Sequence, residues 1–211
     1  MNINLLNSLS YYKISLKTSQ INLFEKFLSL FMEKNSKINL SAIRDETWVI
    51  EKHFIDSIIL NNFIELNGKV LDIWTGWGFP CIPLAITNER TQFIWLDSTR
   101  KKIDSVNEFV DKLWLINIRW VWGRAEEIVK YEEYFQQFDF VISRATAYLP
   151  DIINYSWSFL KVWWTMIFYK LYDEKEISDW KKLLTRYWIK NFKTIKYILS
   201  WQERIFIIIK K

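Results

Sequence analysis

The sequence contains very little glycine. Only 4 of its 211 residues are glycine, about 2%, whereas globular proteins average roughly 7%. Tryptophan shows the opposite deviation, with 13 residues. The two types together make about 8% of the chain, close to the ordinary share of glycine alone, so the tryptophan excess matches the glycine deficit.

Cysteine and histidine each occur once, as Cys81 and His53. A single cysteine excludes an internal disulfide bond. One cysteine and one histidine also cannot supply the set of nitrogen and sulfur ligands that an ordinary zinc site requires. We therefore expect no metal centre.

Long hydrophobic runs are also missing. No apolar run reaches roughly 18 residues, and the N-terminal stretch MNINLLNSLSYYKISLKTSQ lacks a basic region followed by an apolar segment. We expect neither a membrane span nor a signal peptide, and hence a cytoplasmic protein. The net charge of +5 and the pI near 9.1 mildly favour a polyanionic partner. Paired lysines are also typical of solvated helix faces, so charge alone does not identify RNA.

The hydrophobic patterns that are present predict an α/β fold. Apolar residues recur at helical spacing in QINLFEKFLSLFMEKNSKINL and TWVIEKHFIDSIILNNFI, which predicts a helical cap over residues 1–66. In residues 67–211, short β-type runs such as KVLDI and QFIWLD alternate with amphipathic helices, as is typical of a doubly wound, mostly parallel sheet. The segments FKTIKYILS and ERIFIIIKK, joined by a turn at 200–202, predict a closing antiparallel hairpin at the sheet edge.

The turn after the first predicted strand, within VLDIWTGWGFPCIPLAI, is a candidate ligand site. In doubly wound sheets this turn lines the ligand at the carboxyl ends of the strands. Gly76 and Gly78, together with Trp74 if it is read as glycine, would let backbone N–H groups approach a nucleotide-like ligand. The dinucleotide fingerprint G-x-G-x-x-G would need its third glycine at Phe79, so NAD binding is disfavoured.

Asp97 stands at the end of the second predicted strand, about 20 positions after Gly76, where a carboxylate can accept hydrogen bonds from both hydroxyls of a ribose. The alternative is that Asp97 caps the following helix, although Ser98 or Thr99 could serve as that cap.

Eight segments of the chain carry a family resemblance. They are KINLSAIRD, KHFIDSI, VLDIWTGWGFPCIPLAI, LDSTRKKIDSVNEFV, GRAEE, FDFVISRATAYLP, FLKVWWTMIFYK and WQERIFIIIKK. Over nearly the whole chain the sequence resembles the glucose-inhibited division protein B family, the bacterial 16S ribosomal RNA guanine-N7 methyltransferases. The resemblance implies a class I methyltransferase fold with a seven-stranded sheet, S-adenosyl-L-methionine as cofactor and the small ribosomal subunit as partner. It also implies N7 of a guanine as target, guanine 527 in that family, and we expect a monomer.

That family has glycine at many positions where this chain has tryptophan, namely 74, 77, 114, 163–164 and 201. Indole suits neither a left-handed helix end, as in LWLINI, nor a strand-entry turn, as in VWWT. We interpret these tryptophans as UGA codons that the native organism decodes as glycine. The alternative is that they are real core or surface aromatics. Cys81 also replaces a usual glycine of the family, and we assign it no chemistry.

The resemblance further implies which residues bind the cofactor. The loop after the first strand would face the methionine moiety, and Asp97 would hold the ribose. Ala125 and Glu126, in GRAEE after the third strand, would contact the adenine through a backbone N–H and a carboxylate. The implied set is Asp72, Trp74, Gly76, Gly78, Phe79, Asp97, Ala125, Glu126 and Arg144.

Arg144, directly after FDFVIS, is the residue that we expect to position the reacting groups. The alternative is a surface arginine paired with Asp139 or Asp151. N7 of guanine carries an unprotonated lone pair at neutral pH, so methyl transfer needs alignment and exclusion of water but no general base. The sequence Ser143-Arg144-Ala145 also lacks the N/D-P-P-F/Y turn common in enzymes that methylate exocyclic amines, which favours a ring nitrogen.

Several basic residues are candidates to hold RNA phosphates or the guanine edge, because a guanidinium can donate two parallel hydrogen bonds. His53 could equally be a residue that packs between helices. The RNA-binding candidates are Arg44, His53, Arg124, Lys170 and Arg204. Two other function classes stay open: a methyltransferase that acts on a protein or small molecule, and a non-catalytic RNA-binding relative in which Trp74 and Trp77 block the cofactor.

Overall fold

The computed structural model describes residues 1–74, 76–144, 149–186 and 189–210, with the backbone alone for 149–151. Seven strands form one sheet. They are β1 Lys69–Ile73, β2 Gln92–Asp97, β3 Ile118–Trp122, β4 Phe138–Arg144, β5 Leu160–Leu171, β6 Phe192–Leu199 and β7 Gln202–Lys210. Their order is β3-β2-β1-β4-β5-β7-β6. The first five are parallel, and β7 runs antiparallel to both β5 and β6. The predicted mostly parallel, doubly wound sheet is therefore confirmed.

Helices precede the first strand and connect the parallel strands. Within 46–62 the helix changes type along its length, from α3 through a π-helical segment and α4 to a 3-10 turn. The boundary of the cap at residue 66 stays a prediction. The helices are α1 Ile3–Tyr11, α2 Thr18–Ile38, α3 Glu46–Val49, the π segment Ile50–Ile55, α4 Asp56–Ile58, the 3-10 turn Ile59–Asn62, α5 Cys81–Thr87, α6 Arg100–Leu113, α7 Ala125–Ile128, α8 Leu149–Trp157 and α9 Glu174–Arg186.

The central strands are buried on both faces, which explains their nearly continuous apolar sequence. In β1 the last four residues, 70–73, are all buried. One core lies between the cap and the sheet, and it is rich in phenylalanine. Phe27 stacks on Phe54 at 5.1 Å and on Phe79 at 5.5 Å between ring centroids. Because Phe79 belongs to the loop after β1, this core joins the cap directly to the candidate ligand loop.

A second core fills the opposite face of the sheet, under α8 and α9. Phe138 and Phe159 meet there at 6.1 Å between ring centroids, and Trp180 of α9 packs on Phe192 at 5.1 Å. The sheet is thus covered by helices on both sides, as the alternating pattern predicted.

The C-terminal hairpin is confirmed at the sheet edge. Leu199 pairs with Gln202, so the turn consists of Ser200 and Trp201. The sequence prediction had included Gln202 in the turn, whereas the structure places it in β7. Both turn residues have positive φ, +47° and +65°, which is the backbone of a type I′ turn and matches the twist of the paired strands.

The chain order of the strands reverses at β1, which has β2 on one side and β4 on the other. In open α/β sheets, ligands bind in the crevice outside the carboxyl ends of the strands at such a reversal. The loop after β1 and the end of β4 at Arg144 are therefore the two candidate ligand-binding positions of the fold.

Candidate functional site

The loop after β1 has left-handed backbone at three described positions. The φ angle is +62° at Trp74, +63° at Gly76 and +96° at Gly78. A Cβ built on Gly78 would lie 2.7 Å from Cδ1 of Ile82, so this position also lacks space for a side chain. Around a Cβ built on Gly76, no atom of the described residues lies within 4 Å. The backbone at Gly76 therefore faces open space that a ligand can occupy.

Trp74 and Trp77 point to opposite faces of the sheet. The N–H of Trp74 donates to the carbonyl of Leu96 over 2.9 Å, and its ring meets Tyr155 edge-on at 5.6 Å. Trp77 packs instead against the core beneath the cap. The left-handed conformation costs a residue with a Cβ about 1–2 kcal/mol, so the backbone at Trp74 is one that suits glycine.

Two further tryptophans have the same kind of backbone. Trp114 follows the last residue of α6 at φ +57° and is 84% exposed, and Trp201 lies in the hairpin turn at φ +65° and is 90% exposed. Neither indole gains burial that would offset the strain. These two positions support the interpretation that glycine is the native residue, which stays a prediction until the codons are read.

The pair Trp163–Trp164 differs from its expected place. We expected a turn before the fifth strand, whereas both residues lie within β5. Leu160 pairs with Phe138 and Thr165 pairs with Phe140, so four residues of β5 stand opposite a single residue of β4. The extra length bulges out of the ladder, which leaves Trp163 82% exposed while Trp164 is buried.

Asp97 ends β2 and is 2% exposed. Its Oδ1 accepts a hydrogen bond from the Thr99 N–H at 2.8 Å, and its Oδ2 lies 3.5 Å from Nζ of Lys102. Thr99 is the N-cap of α6 but makes no capping bond through its own side chain. Asp97 thus supports the entry to α6, and its role toward a ribose stays a prediction.

The predicted adenine contacts lie next to Asp97. Asp97 pairs with Trp122 at the end of β3, and the N–H of Gly123 donates to the Asp97 carbonyl at 3.2 Å. Ala125 is buried at the start of α7, and Glu126 beside it is exposed. The structure therefore brings together the residues assigned to the ribose and to the adenine.

Beneath the loop, Asp72 is fully buried within β1. The thiol of Cys81, the first residue of α5, is also fully buried, and burial together with the nearby charge of Asp72 raises its pKa. The thiol therefore stays protonated, which agrees with a purely structural role.

Arg144, at the end of β4, is held by one turn of the cap. Its Nη1 donates to the Lys52 carbonyl at 3.0 Å and to Oδ2 of Asp56 at 3.1 Å, and its Nη2 lies 3.3 Å from Nδ1 of His53. The guanidinium carbon also lies 5.4 Å from the centroid of the Phe79 ring. Arg144 is therefore an interior residue that contacts both the ligand loop and the cap. It is not the surface arginine of the alternative, which was expected to pair with Asp139 or Asp151. Asp139 pairs instead with Lys161 at 2.8 Å; Asp151's side chain lies outside the described atoms.

His53 joins the same cluster. Its ring stacks on Phe79 with centroids 4.7 Å apart and planes 15° apart, and its Nε2 lies 3.1 Å from Oγ of Ser41. Burial, reinforced by the charge of Arg144, lowers the pKa of His53 to about 3. The imidazole is thus neutral at physiological pH, with Nδ1 accepting from Arg144 and Nε2 donating to Ser41.

A cavity of about 440 Å³ opens beside this cluster. Four cationic side chains and two anionic ones line it. Lys170 pairs with Glu176 at 2.6 Å, and Arg204 Nη1 donates to Oδ2 of Asp56 at 2.9 Å. The lining residues are Ile43, Lys52, His53, Asp56, Arg144, Tyr169, Lys170, Leu171, Glu176 and Arg204. Three of the five predicted RNA-binding residues therefore share one cavity with Arg144.

The other two RNA-binding candidates, Arg44 and Arg124, do not line that cavity. Arg44 follows the cap helix α2 and hydrogen-bonds Asn39. Arg124 is the N-cap of α7, directly before Ala125 and Glu126, the predicted adenine contacts. Their roles stay predictions.

Sequence reasoning missed Asp56. This residue is fully buried, and its carboxylate accepts hydrogen bonds from Arg144, Arg204 and Tyr197. The signal was its position three residues after His53 in KHFIDSI, which places both side chains on one face of a helix.

The described residues were also compared with what a membrane span and a metal site require. No helix among them is long and apolar enough to cross a membrane. No group of three or more His, Cys, Asp or Glu side chains within the described ranges is arranged to hold a metal ion.

Comparison with known proteins identifies the family of this chain. The family model described as rRNA small subunit methyltransferase G, GidB, matches residues 20–198. The protein named ribosomal RNA small subunit methyltransferase G from Thermoanaerobacter sp. is 39% identical over 151 residues, which are 71% of this chain but only 63% of that protein. The protein of the same name from Fusobacterium nucleatum is 37% identical over 203 residues, covering 94% of this chain and 86% of the relative. That from Lactococcus lactis is 35% identical, covering 98% and 89%.

Solved structures share the fold. An O-methyltransferase from Bacillus cereus in complex with SAH aligns with a TM-score of 0.62 at 15% identity, covering 88% of this chain and 91% of the other. A SAM-dependent methyltransferase from Aquifex aeolicus aligns at 0.57 and 15% identity, covering 84% and 98%. These likenesses confirm the expected class I methyltransferase fold. With a family model that covers most of the chain and relatives at 35–39% identity, the chain belongs to the GidB family, rRNA small subunit methyltransferase G.

Proposed function

We propose that the chain transfers a methyl group from S-adenosyl-L-methionine to N7 of a guanine in 16S ribosomal RNA. The observation that carries the proposal is the junction at Phe79. This one side chain of the ligand loop contacts both His53 and Arg144, which line the cationic cavity. A cofactor on the loop and a nucleotide in the cavity would thus be neighbours.

The residues present fit the cofactor. The open space over the backbone of Gly76 gives room for a ligand against the loop, and the buried Asp97 carboxylate ends the adjacent strand, where a ribose would lie. S-adenosyl-L-methionine, when bound, supplies an electrophilic methyl group that the N7 lone pair of guanine can take without any proton being removed.

The protonation states of the cluster agree with such a reaction. His53, with its pKa near 3, has its Nδ1 occupied by Arg144 and is a poor proton acceptor. Burial raises the pKa values of Tyr169 and Tyr197, so both phenols stay protonated. In the described part of the cavity, the carboxylate of Asp56 is paired with Arg144 and Arg204, and that of Glu176 is paired with Lys170. Methyl transfer to an unprotonated ring nitrogen needs no general base.

Arg144 is suited to align the base. Its Nη1 and one N–H of Nη2 are directed at the cap, which fixes the guanidinium plane, and the cavity lies beside it. A guanidinium held in this way can donate to O6 of guanine or to a phosphate oxygen. The excess of cations in the cavity suits the polyanionic backbone of RNA.

Finer features belong to the same proposal. The target would be guanine 527 of 16S ribosomal RNA. The protein would act as a monomer and in the cytoplasm, where small ribosomal subunits are assembled.

The test is transfer of a tritiated methyl group from the cofactor to purified 16S RNA and to small ribosomal subunits. We expect label in RNA, and we expect the labelled nucleoside to be N7-methylguanosine, with cleavage after borohydride and aniline treatment at one position. Free guanosine and total protein serve as comparison substrates. Label in protein or at an exocyclic amine would support the methyltransferase of other specificity. RNA binding without transfer, in a chain that fails to bind the cofactor, would support the non-catalytic relative.

A further inference from the structure

The cap supplies three contacts to Arg144 from a single helical turn. The carbonyl of Lys52, the imidazole of His53 and the carboxylate of Asp56 all approach its guanidinium within 3.0–3.3 Å. Arg144 is the last residue of β4, about 90 residues later in the chain, so this helical turn links the cap to the carboxyl end of that strand. The side chain of Arg144 is 11% exposed.

The π-helical segment explains why a backbone carbonyl is available there. At its end the N–H of Asp56 donates to the Glu51 carbonyl, five residues earlier. The Lys52 carbonyl, which would accept that N–H in a regular α-helix, accepts from Nη1 of Arg144. Short π-helical insertions are frequent at functional sites.

Asp56 is the centre of the arrangement. Its Oδ2 accepts from Arg144 at 3.1 Å and from Arg204 at 2.9 Å, while its Oδ1 accepts from the hydroxyl of Tyr197 at 2.9 Å. The carboxylate is 1% exposed. A carboxylate buried to that degree is stable only with such partners, and two guanidiniums this close together need an anion between them.

We propose that Asp56 is a positioning residue for methyl transfer, which fixes the guanidiniums of Arg144 and Arg204 at the wall of the cavity. This inference rests on the proposed function. Asp56 acts through the two arginines and does not itself touch the cofactor or the base. It holds each guanidinium in one orientation, and it offsets part of their charge beside a purine that gains positive charge during the reaction.

A purely structural ion pair that fastens the cap to the sheet would give the same contacts, so the experiment must separate the two roles. In a parent chain that shows methyl transfer, Asp56→Asn keeps the shape of the side chain and removes its charge. We expect kcat on 16S RNA to fall by about tenfold or more, with the dissociation constant of the cofactor changed by less than about threefold. The double variant Asp56→Asn, Arg144→Lys should lose little beyond the worse single variant, because both changes disable one unit.

The control is Asp139→Asn in β4, the strand that carries Arg144. The carboxylate of Asp139 pairs with Lys161 at 2.8 Å and accepts a hydrogen bond from the Lys69 N–H at 2.8 Å. Neither of these two residues lines the cavity. Asp139→Asn should lower the melting temperature and leave kcat unchanged. If Asp56→Asn does not fold, Tyr197→Phe removes only the hydrogen bond to Oδ1, and it should lower kcat by about threefold at unchanged cofactor affinity.

An unchanged kcat in Asp56→Asn or, failing that, in Tyr197→Phe would overturn the inference. Strictly additive effects with Arg144→Lys would overturn it as well. These results are distinct from a failure of the proposed function, in which the parent chain itself would not methylate 16S RNA.

Discussion

Trp114 gives the sharpest test of the idea that glycine is native at the unusual tryptophan positions. It stands at φ +57° directly after α6, where its N–H donates to the carbonyl of Asp111 at 3.1 Å. The next residue, Leu115, donates to Val110 at 3.2 Å, which completes a Schellman-type helix end. This motif prefers glycine because its left-handed residue has no Cβ to clash.

The magnitude follows from strain and exposure. Left-handed backbone costs a residue with a Cβ about 1–2 kcal/mol. Trp114 is 84% exposed, so its removal forfeits little buried area. We expect Trp114→Gly to raise the free energy of unfolding by about 1 kcal/mol, which corresponds to roughly 2–4 °C in melting temperature for a chain of this size.

Trp114→Ala is the matched control, since it removes the indole but keeps the Cβ at the same φ. Urea unfolding followed by far-UV circular dichroism should place the glycine variant about 1 kcal/mol above the alanine variant. The same pair of variants at Trp201, which is 90% exposed at φ +65°, should repeat the difference. Equal stability of the glycine and alanine variants at both positions would refute the reasoning from backbone strain.

The remaining predictions concern the native codons, the cofactor and pH. The native protein should be lighter than 25.8 kDa by intact mass, and UGG codons at 74 and 77 would contradict recoding. Asp97→Ala, in a variant with glycine at 74 and 77, should weaken cofactor binding at least about tenfold by calorimetry and leave RNA affinity nearly unchanged; the reverse pattern would show that Asp97 serves the RNA. His53 has a folded-state pKa of about 3, below its unfolded value near 6.5. Its neutral form therefore stabilises the fold above pH 6.5, and that contribution is lost as the pH falls toward 3, with a slope of up to about 1.4 kcal/mol per pH unit. His53→Gln should flatten this acid limb in urea unfolding at pH 4–7, and an unaltered limb would assign the acid sensitivity to other groups.

Much of the fold could be predicted because its signals are local. The apolar run KVLDI, the alternation of strands and helices, and the C-terminal pair of strands each reflect burial of nearby residues. The turn at Ser200 and Trp201 was placed to within one residue for the same reason. The bulge at 163–164 was not foreseen, because it depends on how β5 registers against β4, and register is a property of two strands.

The places of the candidate site residues in the fold could be predicted from the sequence, but their contacts could not. The loop follows β1 and Asp97 ends β2, as the strand pattern predicted. The cluster around Arg144 could not be read from the sequence, because His53 and Asp56 reach it across a distance of about 90 residues in the chain. For the same reason Arg204, expected at an RNA-facing surface, was not foreseen as a partner of a buried carboxylate. The sequence shows charge, but only tertiary structure shows which charges neutralise one another.

The partners of Asp56 determine when this site can exist during synthesis. The carboxylate belongs to the first third of the chain, whereas Arg144 follows 88 residues later, Tyr197 141 later and Arg204 148 later. A nascent chain that ends before β7 therefore has a cap whose buried anion lacks one of its two guanidiniums. The C-terminal hairpin is synthesised after the cap and the parallel strands, and the cavity wall is complete only when this hairpin docks. An unfinished or C-terminally truncated chain would thus have the loop after β1 but no assembled cavity beside it.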